Sequence, residues 1–322
     1  MSLAFLFPGQ GSQQPDMLHT LPSTPAVSAV LDESRSQLRH LGLTADIDTK
    51  ASLRDTTNVQ IALLIAGVAC ARALTEDHGL TPQFVAGHSV GTFSAAVTAG
   101  VISLGEALEA VALRGHLMKE ACADGDWGMA ALTGLPTRSA CQIAQEVATD
   151  DDPLWVANIN SATQTVFSGT ASALQKAADA AKIAGAINYE RIDVSVASHC
   201  PKQAATAREM AAHLVGLPRR EPTARYLTNT RGRATTSAET VLGDLAQAVA
   251  HTVQWYDATR LMGELGATCA IETQPGHVLT RLLASAAPTI AAISLQDSGL
   301  AAAARRANRL LDNEDRPPEL GQ

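Results

Sequence analysis

A serine stands between two glycines in Gly87-His88-Ser89-Val90-Gly91, a spacing that lets the backbone turn sharply from strand to helix and present a hydroxyl as a nucleophile. A chain of this size carries Gly-x-Ser-x-Gly by accident roughly one time in ten, so the flanking residues decide its meaning. Gln83-Phe84-Val85-Ala86 reads as a short buried strand, and Thr92 to Ala99 as a small-residue helix closed by Gly100. A serine hydroxyl is a weak nucleophile at neutral pH and needs a base, most often histidine. Of the nine histidines, His88 adjoins Ser89 on the turn, where neighbouring side chains point apart. His19, His40, His78 and His213 lie in polar contexts that read as surface, and His116 lies inside a helix and reads as a packed side chain. His199 falls in the polar loop Val194-Ser195-Val196-Ala197-Ser198-His199-Cys200-Pro201, with His251 and His277 as competitors that spacing does not separate from it.

Two further features could take part in chemistry. Arg114 interrupts an otherwise apolar helix, Ala107 to Met118. Such an arginine is usually snorkelling or salt-bridged, but a guanidinium can also hold a carboxylate by two parallel charge-assisted hydrogen bonds, which would suit an acyl group ending in a free carboxylate. The loop Phe7-Pro8-Gly9-Gln10-Gly11-Ser12-Gln13 is glycine-rich enough for backbone N–H groups to approach a ligand. It lacks the Lys-Ser/Thr ending of a phosphate loop, and beside a nucleophile it could supply an oxyanion donor.

These residues need elements to position them. A strand at Leu3 to Phe7, a helix at Asn58 to Leu74, the strand before Ser89 and the helix after it alternate as in a parallel sheet covered on both faces. From Gly128 the order becomes strand Met129 to Leu135, helix Ser139 to Val147, strands Trp155 to Ile159 and Thr165 to Ser168, helix Ala171 to Ile183 and strand Ile187 to Val194. That βαββαβ order is a ferredoxin-like unit. The expected organisation is a small domain at residues 126–196 inserted into a large α/β domain made of 1–125 and 197–322, with a ligand cleft between them. A further strand is expected at Thr268 to Glu272, and the polar segment Asp312 to Gln322 is expected to fray.

With 322 residues, 46% hydrophobic and 17% charged, the chain can bury a large core. A net charge of −8 argues against broad nucleic-acid binding, which needs a basic footprint. The apolar run Ile61 to Cys70 is shorter than the roughly 18 residues of a membrane span and reads as a buried helix. Leu3 to Phe7 has no basic leader and meets Pro8-Gly9 at once, so a core strand and a cytoplasmic location are expected. The five cysteines, Cys70, Cys122, Cys141, Cys200 and Cys269, form no C-x-x-C pair and read as reduced thiols, with no metal site implied.

Together these pieces resemble the malonyl-CoA:acyl carrier protein transacylase family. The likeness runs through Phe7 to Gln13, Gln60 to Leu64, Gly87 to Gly91, Arg114-Gly115-His116-Leu117-Met118, Gly128 to Ala131, Asn158-Ile159-Asn160-Ser161, Ser198-His199, Val253-Gln254-Trp255 and Pro275-Gly276. The resemblance implies a hydrolase-like large domain and ping-pong acyl transfer. Ser89 would attack a CoA thioester, His199 would act as general base and the backbone N–H groups of Gln10 and Val90 would hold the oxyanion. Arg114 would pair with the malonyl carboxylate, and Asn160 would lie at the site. The histidine would be oriented by backbone carbonyls, so Asp193 is not promoted to a triad. The partners implied are malonyl-CoA and a carrier protein bearing a phosphopantetheine-type or dephospho-CoA-derived thiol, with no permanently bound cofactor.

Some positions depart from the fatty-acid members. Thr92 replaces a glutamate, Ser198 a bulky residue before the histidine, and Thr252 a proline, while Cys200 and Pro201 follow His199. A glutamine expected upstream of Trp255 falls on Ala248, with Gln247 one place off. These departures look closer to the epsilon subunit of bacterial malonate decarboxylase, and a roomier pocket at Ser198 could admit a branched acyl group. The alternatives are a fatty-acid synthesis malonyl transacylase, a serine esterase or thioesterase, and a non-catalytic carrier-docking subunit. An acidic carrier would need a basic patch, for which Arg219-Arg220 with Arg225, or Arg191 with Lys202, are the candidates.

Overall fold

A computed structural model describes residues 2–312, so of the segment expected to fray only Asp312 lies inside the described residues. In chain order the first elements are β1 (Ser2–Phe7), α1 (Pro25–His40), α2 (Thr56–Arg72), β2 (Phe84–Gly87), α3 (Gly91–Thr98) and α4 (Leu104–Ala121). They are followed by β3 (Trp127–Thr133), α5 (Thr137–Val147), β4 (Leu154–Ser161), β5 (Gln164–Thr170), α6 (Ala171–Ile183) and β6 (Asn188–Ile192). The chain continues through α7 (Ala204–Val215), β7 (Arg225–Leu227), β8 (Ala234–Thr235), α8 (Ala238–Gln247), α9 (Trp255–Glu264) and β9 (Ala267–Glu272). It ends with α10 (Val278–Ala286), β10 (Ala291–Ser294), α11 (Leu295–Ser298) and α12 (Leu300–Asp312).

The strands form two sheets. Six make a sheet of order β10-β9-β1-β2-β7-β8, parallel throughout except for the antiparallel β7–β8 pair. Its central strand is apolar on both sides: Leu3, Phe5 and Phe7 enter one core with α1, α2, α3 and α12, while Ala4 and Leu6 enter another with α9 and α10. That is why Leu3 to Phe7 reads as an unbroken apolar run and not as an alternation. The other four strands form an antiparallel sheet of order β4-β5-β3-β6, the ferredoxin-like arrangement, with α5 and α6 on one face. Here alternation is visible. Ala130 and Leu132 of β3 pack toward the two helices, whereas Met129 and Ala131 face the opposite side, where the main cleft lies.

The boundaries differ from the pattern-based reading where a local hydrogen bond intervenes. Helix α2 starts at Thr56 and not at Asn58 because the Asp55 carboxylate accepts the N–H groups of Thr57 and Asn58. Strand β3 stops at Thr133 because Gly134 has φ +97°, and β6 stops at Ile192, whose carbonyl accepts the N–H of Val194 in a tight turn. The segment Thr56–Asp77 is long and apolar enough to cross a membrane by length and composition alone. It is enclosed by α1, α3 and α4, with every residue from Val59 to Ala71 buried.

The two sheets meet along β4. Asn158 forms an isolated parallel bridge with Val253, closed by Ile159 N–H to Val253 O at 2.9 Å and Val253 N–H to Ala157 O at 2.9 Å. The hydroxyl of Thr252, which a proline could not supply, donates to Val156 O at 2.7 Å. Leu64 in α2 is fully enclosed. Leu64→Ala is expected to cost about 2–5 kcal/mol in urea unfolding, and a loss well under 1 kcal/mol would show that α2 is not a core helix.

Candidate active site

Ser89 occupies the turn between β2 and α3 with φ +54°, a left-handed conformation that costs a non-glycine residue about 1–3 kcal/mol. The two glycines of the motif are steric requirements. A Cβ on Gly87 would lie 2.0 Å from the carbonyl carbon of Gly91, and one on Gly91 would lie 2.2 Å from the carbonyl oxygen of Phe7. The turn therefore closes only when both positions lack a side chain. Thr92, where a glutamate was the family expectation, donates its hydroxyl to Ser89 O at 2.6 Å.

The structure brings His199 to this serine. Its loop runs back from β6 into the large sheet, its φ is +59°, and its Nε2 lies 2.8 Å from Ser89 Oγ. Nδ1 lies 2.6 Å from Ala248 O, and a carbonyl oxygen can only accept, so Nδ1 carries the hydrogen and Nε2 presents its lone pair to the serine hydroxyl. The ring is 2% exposed. Burial, reinforced by the nearby charge of Arg114, pulls its pKa down to about 3, so the imidazole is neutral at pH 7. Among the described residues no carboxylate pairs with His199, and Asp193 lies in the cleft wall.

The competing histidines fall elsewhere. His251 is exposed with Nδ1 on Gln247 O, and His277 pairs with Asp297 at 3.0 Å. His116 does not pack into the core as its helical setting suggested. It projects from α4 with its side chain 71% exposed, because the buried face of that helix is taken by Leu108, Val111, Arg114, Gly115 and Met118. His213, read as surface, is half-buried, with its Nε2 enclosed. His88 is half-buried with Nε2 on Asn160 Oδ1 at 2.9 Å and its ring edge-on to Trp255.

Arg114 is 2% exposed and has no carboxylate partner among the described residues. Its Nη1 donates to Gln60 Oε1 at 2.5 Å and its Nη2 to Ser89 Oγ at 3.3 Å. Burial lowers its pKa to about 10, which still leaves the group cationic at neutral pH. A desolvated cation held only by neutral acceptors is costly and offers strong attraction to an incoming anion. Gln60, from α2, is fully buried and ties Arg114 to the glycine-rich loop through Nε2 to Gln10 Oε1 at 3.2 Å.

The backbone donors around the serine are unequal. Ser89 N–H is taken by Asn229 Oδ1 at 2.9 Å, Gly91 N–H by His88 O and Thr92 N–H by Ser89 O. The Val90 N–H, and the Gln10 N–H on the facing loop, have no protein acceptor among the described residues. Asn160 lies beside the cleft, bonded to His88 and through Nδ2 to Gln164 at 3.2 Å. The cleft itself holds about 530 Å³, with Ser89, His199 and Gln10 on its floor, Met129 and Val166 from the small sheet on one wall, and Val278 and Leu282 from α10 on another. Ser198 also lines it and points its hydroxyl at Met129 Sδ, 3.1 Å away. Cys200 is buried, and burial pushes its thiol up to about 12, so it is not nucleophilic.

Nothing in the order of residues alone gives a role to Asn229, Ala248 or Gln60. The only sequence signal for Asn229 is its place in the polar triplet Thr228-Asn229-Thr230 after a short apolar strand, because ligand-facing residues of parallel sheets collect at strand carboxyl ends. Ala248 acts through its carbonyl and leaves no side-chain signal. Among the described residues no group of three or more His, Cys, Asp or Glu is placed to hold a metal ion.

Comparison with known proteins places this geometry in a family. The acyl transferase domain model matches residues 4–307. The malonyl CoA-acyl carrier protein transacylase of Escherichia coli (strain K12) is 33% identical over 303 residues, spanning 94% of this chain and 98% of that protein. The protein of the same name from Bacillus subtilis (strain 168) is 30% identical over 300 residues, spanning 92% of this chain and 93% of that protein. Among solved structures, a malonyl-transacylase in complex with a type II PKS acyl-carrier protein superposes with a TM-score of 0.88 at 33% identity, covering 95% of this chain and 100% of that one. The malonyl CoA-acyl carrier protein transacylase of Coxiella burnetii superposes with a TM-score of 0.89 at 30% identity, covering 96% and 98%. The strained serine elbow, its histidine and a family match over nearly the whole chain agree: this chain belongs to the acyl transferase domain family.

Proposed function

We propose that the chain moves a malonyl group from malonyl-CoA, through an ester on Ser89, to the phosphopantetheine-type thiol of an acyl carrier protein. The observation that carries this reading is the buried Arg114 guanidinium, without an anionic partner among the described residues and 3.3 Å from the nucleophilic oxygen. A cation there matches an acyl group that ends in a carboxylate, and the names of the relatives point to the same substrate.

His199 Nε2 takes the proton of Ser89 Oγ as that oxygen adds to the thioester carbonyl. The N–H groups of Gln10 and Val90 receive the oxyanion, and one such donor is worth about 10²–10³ in rate. Collapse breaks the carbon–sulfur bond, and His199 returns the proton to the departing CoA thiol. In the second half the carrier thiol gives its proton to His199 and adds to the acyl-serine. Collapse then restores Ser89 Oγ–H and leaves the malonyl thioester on the carrier. A carboxylate clamped by Arg114 holds the acyl group for thiol attack, which favours a transferase over a serine esterase or thioesterase. The intact Ser89, His199 and Arg114 likewise favour an enzyme over a non-catalytic docking subunit. Asn160 serves this reading as a support for His88 behind the elbow.

The relatives favour a malonyl transacylase of the fatty-acid synthesis type over the epsilon subunit of malonate decarboxylase. The second reading keeps the support of Thr92 and Thr252, both engaged in backbone contacts of their own. A competition between a phosphopantetheine carrier and one bearing a dephospho-CoA-derived thiol separates the two. Of the basic groups, Arg219 and Arg220 are occupied by Glu239 and Glu106, and Lys202 by Asp124, whereas Arg191 lines the cleft. A cytoplasmic location fits the absence of disulfides among the described residues.

Intact-mass analysis after malonyl-CoA is expected to find a malonyl adduct that Ser89→Ala abolishes. Arg114→Ala should slow malonyl transfer by about 10²–10³-fold while changing acetyl transfer less than tenfold, and equal losses would remove the clamp. Because the His199 pKa is lowered, its neutral form persists in acid. The acid limb of the acylation rate should therefore lie well below the ordinary histidine value of about 6.5, and a limb at or above it would contradict the assignment. The same shift makes folding weaken as pH falls below about 6.5, where the unfolded chain takes up the proton first. Arg191→Glu should raise the carrier KM more than Arg219→Glu does.

A further inference from the structure

The strained serine turn is held from outside its own chain segment. One side chain, Asn229, spans it: Oδ1 accepts the N–H of Ser89 at 2.9 Å, and Nδ2 donates to the carbonyl of Gly87 at 2.7 Å. Both groups belong to the peptide units that flank His88, so the clamp fixes the stretch of backbone that leads directly into Ser89. Asn229 is in turn fixed by Asp244 of α8. The Asp244 carboxylate accepts the N–H of Asn229 at 2.9 Å, the N–H and hydroxyl of Thr230 at 2.9 and 2.7 Å, and the hydroxyl of Tyr226 at 2.9 Å. It is 4% exposed and has no cationic partner among the described residues. Four donors converging on one buried carboxylate make a satisfied network that rigidifies the loop after β7.

We propose that Asn229 and Asp244 are positioning residues for the acyl-transfer reaction. Asn229 clamps the nucleophile turn, and Asp244 sets the loop that carries the clamp. The proposal rests on the reading of Ser89 as nucleophile and His199 as base. The clamp does two things for that pair. It fixes Ser89 Oγ at 2.8 Å from His199 Nε2, where a displacement of about 1 Å can cost about 10²-fold in rate. It also occupies the Ser89 N–H, which leaves the neighbouring Val90 N–H to point at the developing oxyanion. Neither residue touches the malonyl group, so binding should be spared.

The test measures the rate at which a small fluorophosphonate labels Ser89, a reaction that needs the activated serine but no malonyl group or carrier. Asn229→Ala and Asp244→Asn are expected to slow labelling at least tenfold per folded molecule. In the Ser89→Ala background, neither should change malonyl-CoA affinity more than twofold. Should Asn229→Ala fail to fold, Asn229→Asp keeps the acceptor for Ser89 N–H, loses the donor to Gly87 O and is expected to slow labelling as well. Hydrogen exchange on the unaltered enzyme adds a readout free of substitution: the Ser89 amide should exchange far more slowly than the Val90 amide. Folded variants that label at the wild-type rate, a loss carried entirely by weaker malonyl-CoA binding, or a Ser89 amide that exchanges as fast as that of Val90 would each overturn the clamp alone. A wild-type enzyme that leaves Ser89 unlabelled overturns the nucleophile assignment and the clamp with it.

Discussion

The Ser89 oxygen sits between two buried nitrogens of opposite temperament, a neutral imidazole at 2.8 Å and a guanidinium at 3.3 Å. Everything around them serves to keep one uncharged and the other charged in the same dry space. The imidazole stays neutral because burial and the adjacent cation both oppose its protonation. The guanidinium stays charged because its intrinsic basicity survives the loss of water, with Gln60 and Ser89 accepting its hydrogens in place of a counter-ion. A carboxylate in that spot would neutralise the cation and forfeit its attraction for an incoming anion. The neutrality of Gln60 is therefore a requirement of the site.

Three helices and the small sheet, each from a different stretch of chain, converge to satisfy this constraint. Helix α2 contributes Gln60 and α4 contributes Arg114, packed side by side under the sheet. Helix α3 begins immediately after the serine, and its first residues surround the turn. The small antiparallel sheet presents Met129 and Val166, the face without helices, as a wall over the serine. The cleft is thus a space between two independently built layers, and the Asn158–Val253 bridge sets their separation along β4.

How much of this could be read from residue order depends on where each signal resides. The serine turn was legible because its glycines answer to local sterics, and the two-sheet order was legible because both periods of hydrophobicity are local too. Arg114 was ambiguous: the same residue in the same helix would snorkel if its face were exposed, and only tertiary packing buries it. His199, His251 and His277 were equivalent by spacing, since loop geometry decides which of them turns inward. Two small-domain strands stop two residues short of the patterned ends, one before Gly134 and the other at the turn of Ile192. His116 was misplaced because helical context alone does not say which face is buried. Asn229 lies 140 positions beyond Ser89, so only the tertiary fold brings the two together.

The contact between His199 Nδ1 and the carbonyl of Ala248 has a consequence for how such a site can change over generations. In a serine triad the orienting partner is a side chain, and a single codon change removes it. Here the partner is a peptide oxygen, which all twenty amino acids carry. Position 248 is then free to drift among residue types that keep the helical turn, and the imidazole keeps its tautomer throughout. A reader scanning side chains finds an alanine where another residue was expected and suspects a loss, although the group that orients the imidazole was never encoded by the side chain.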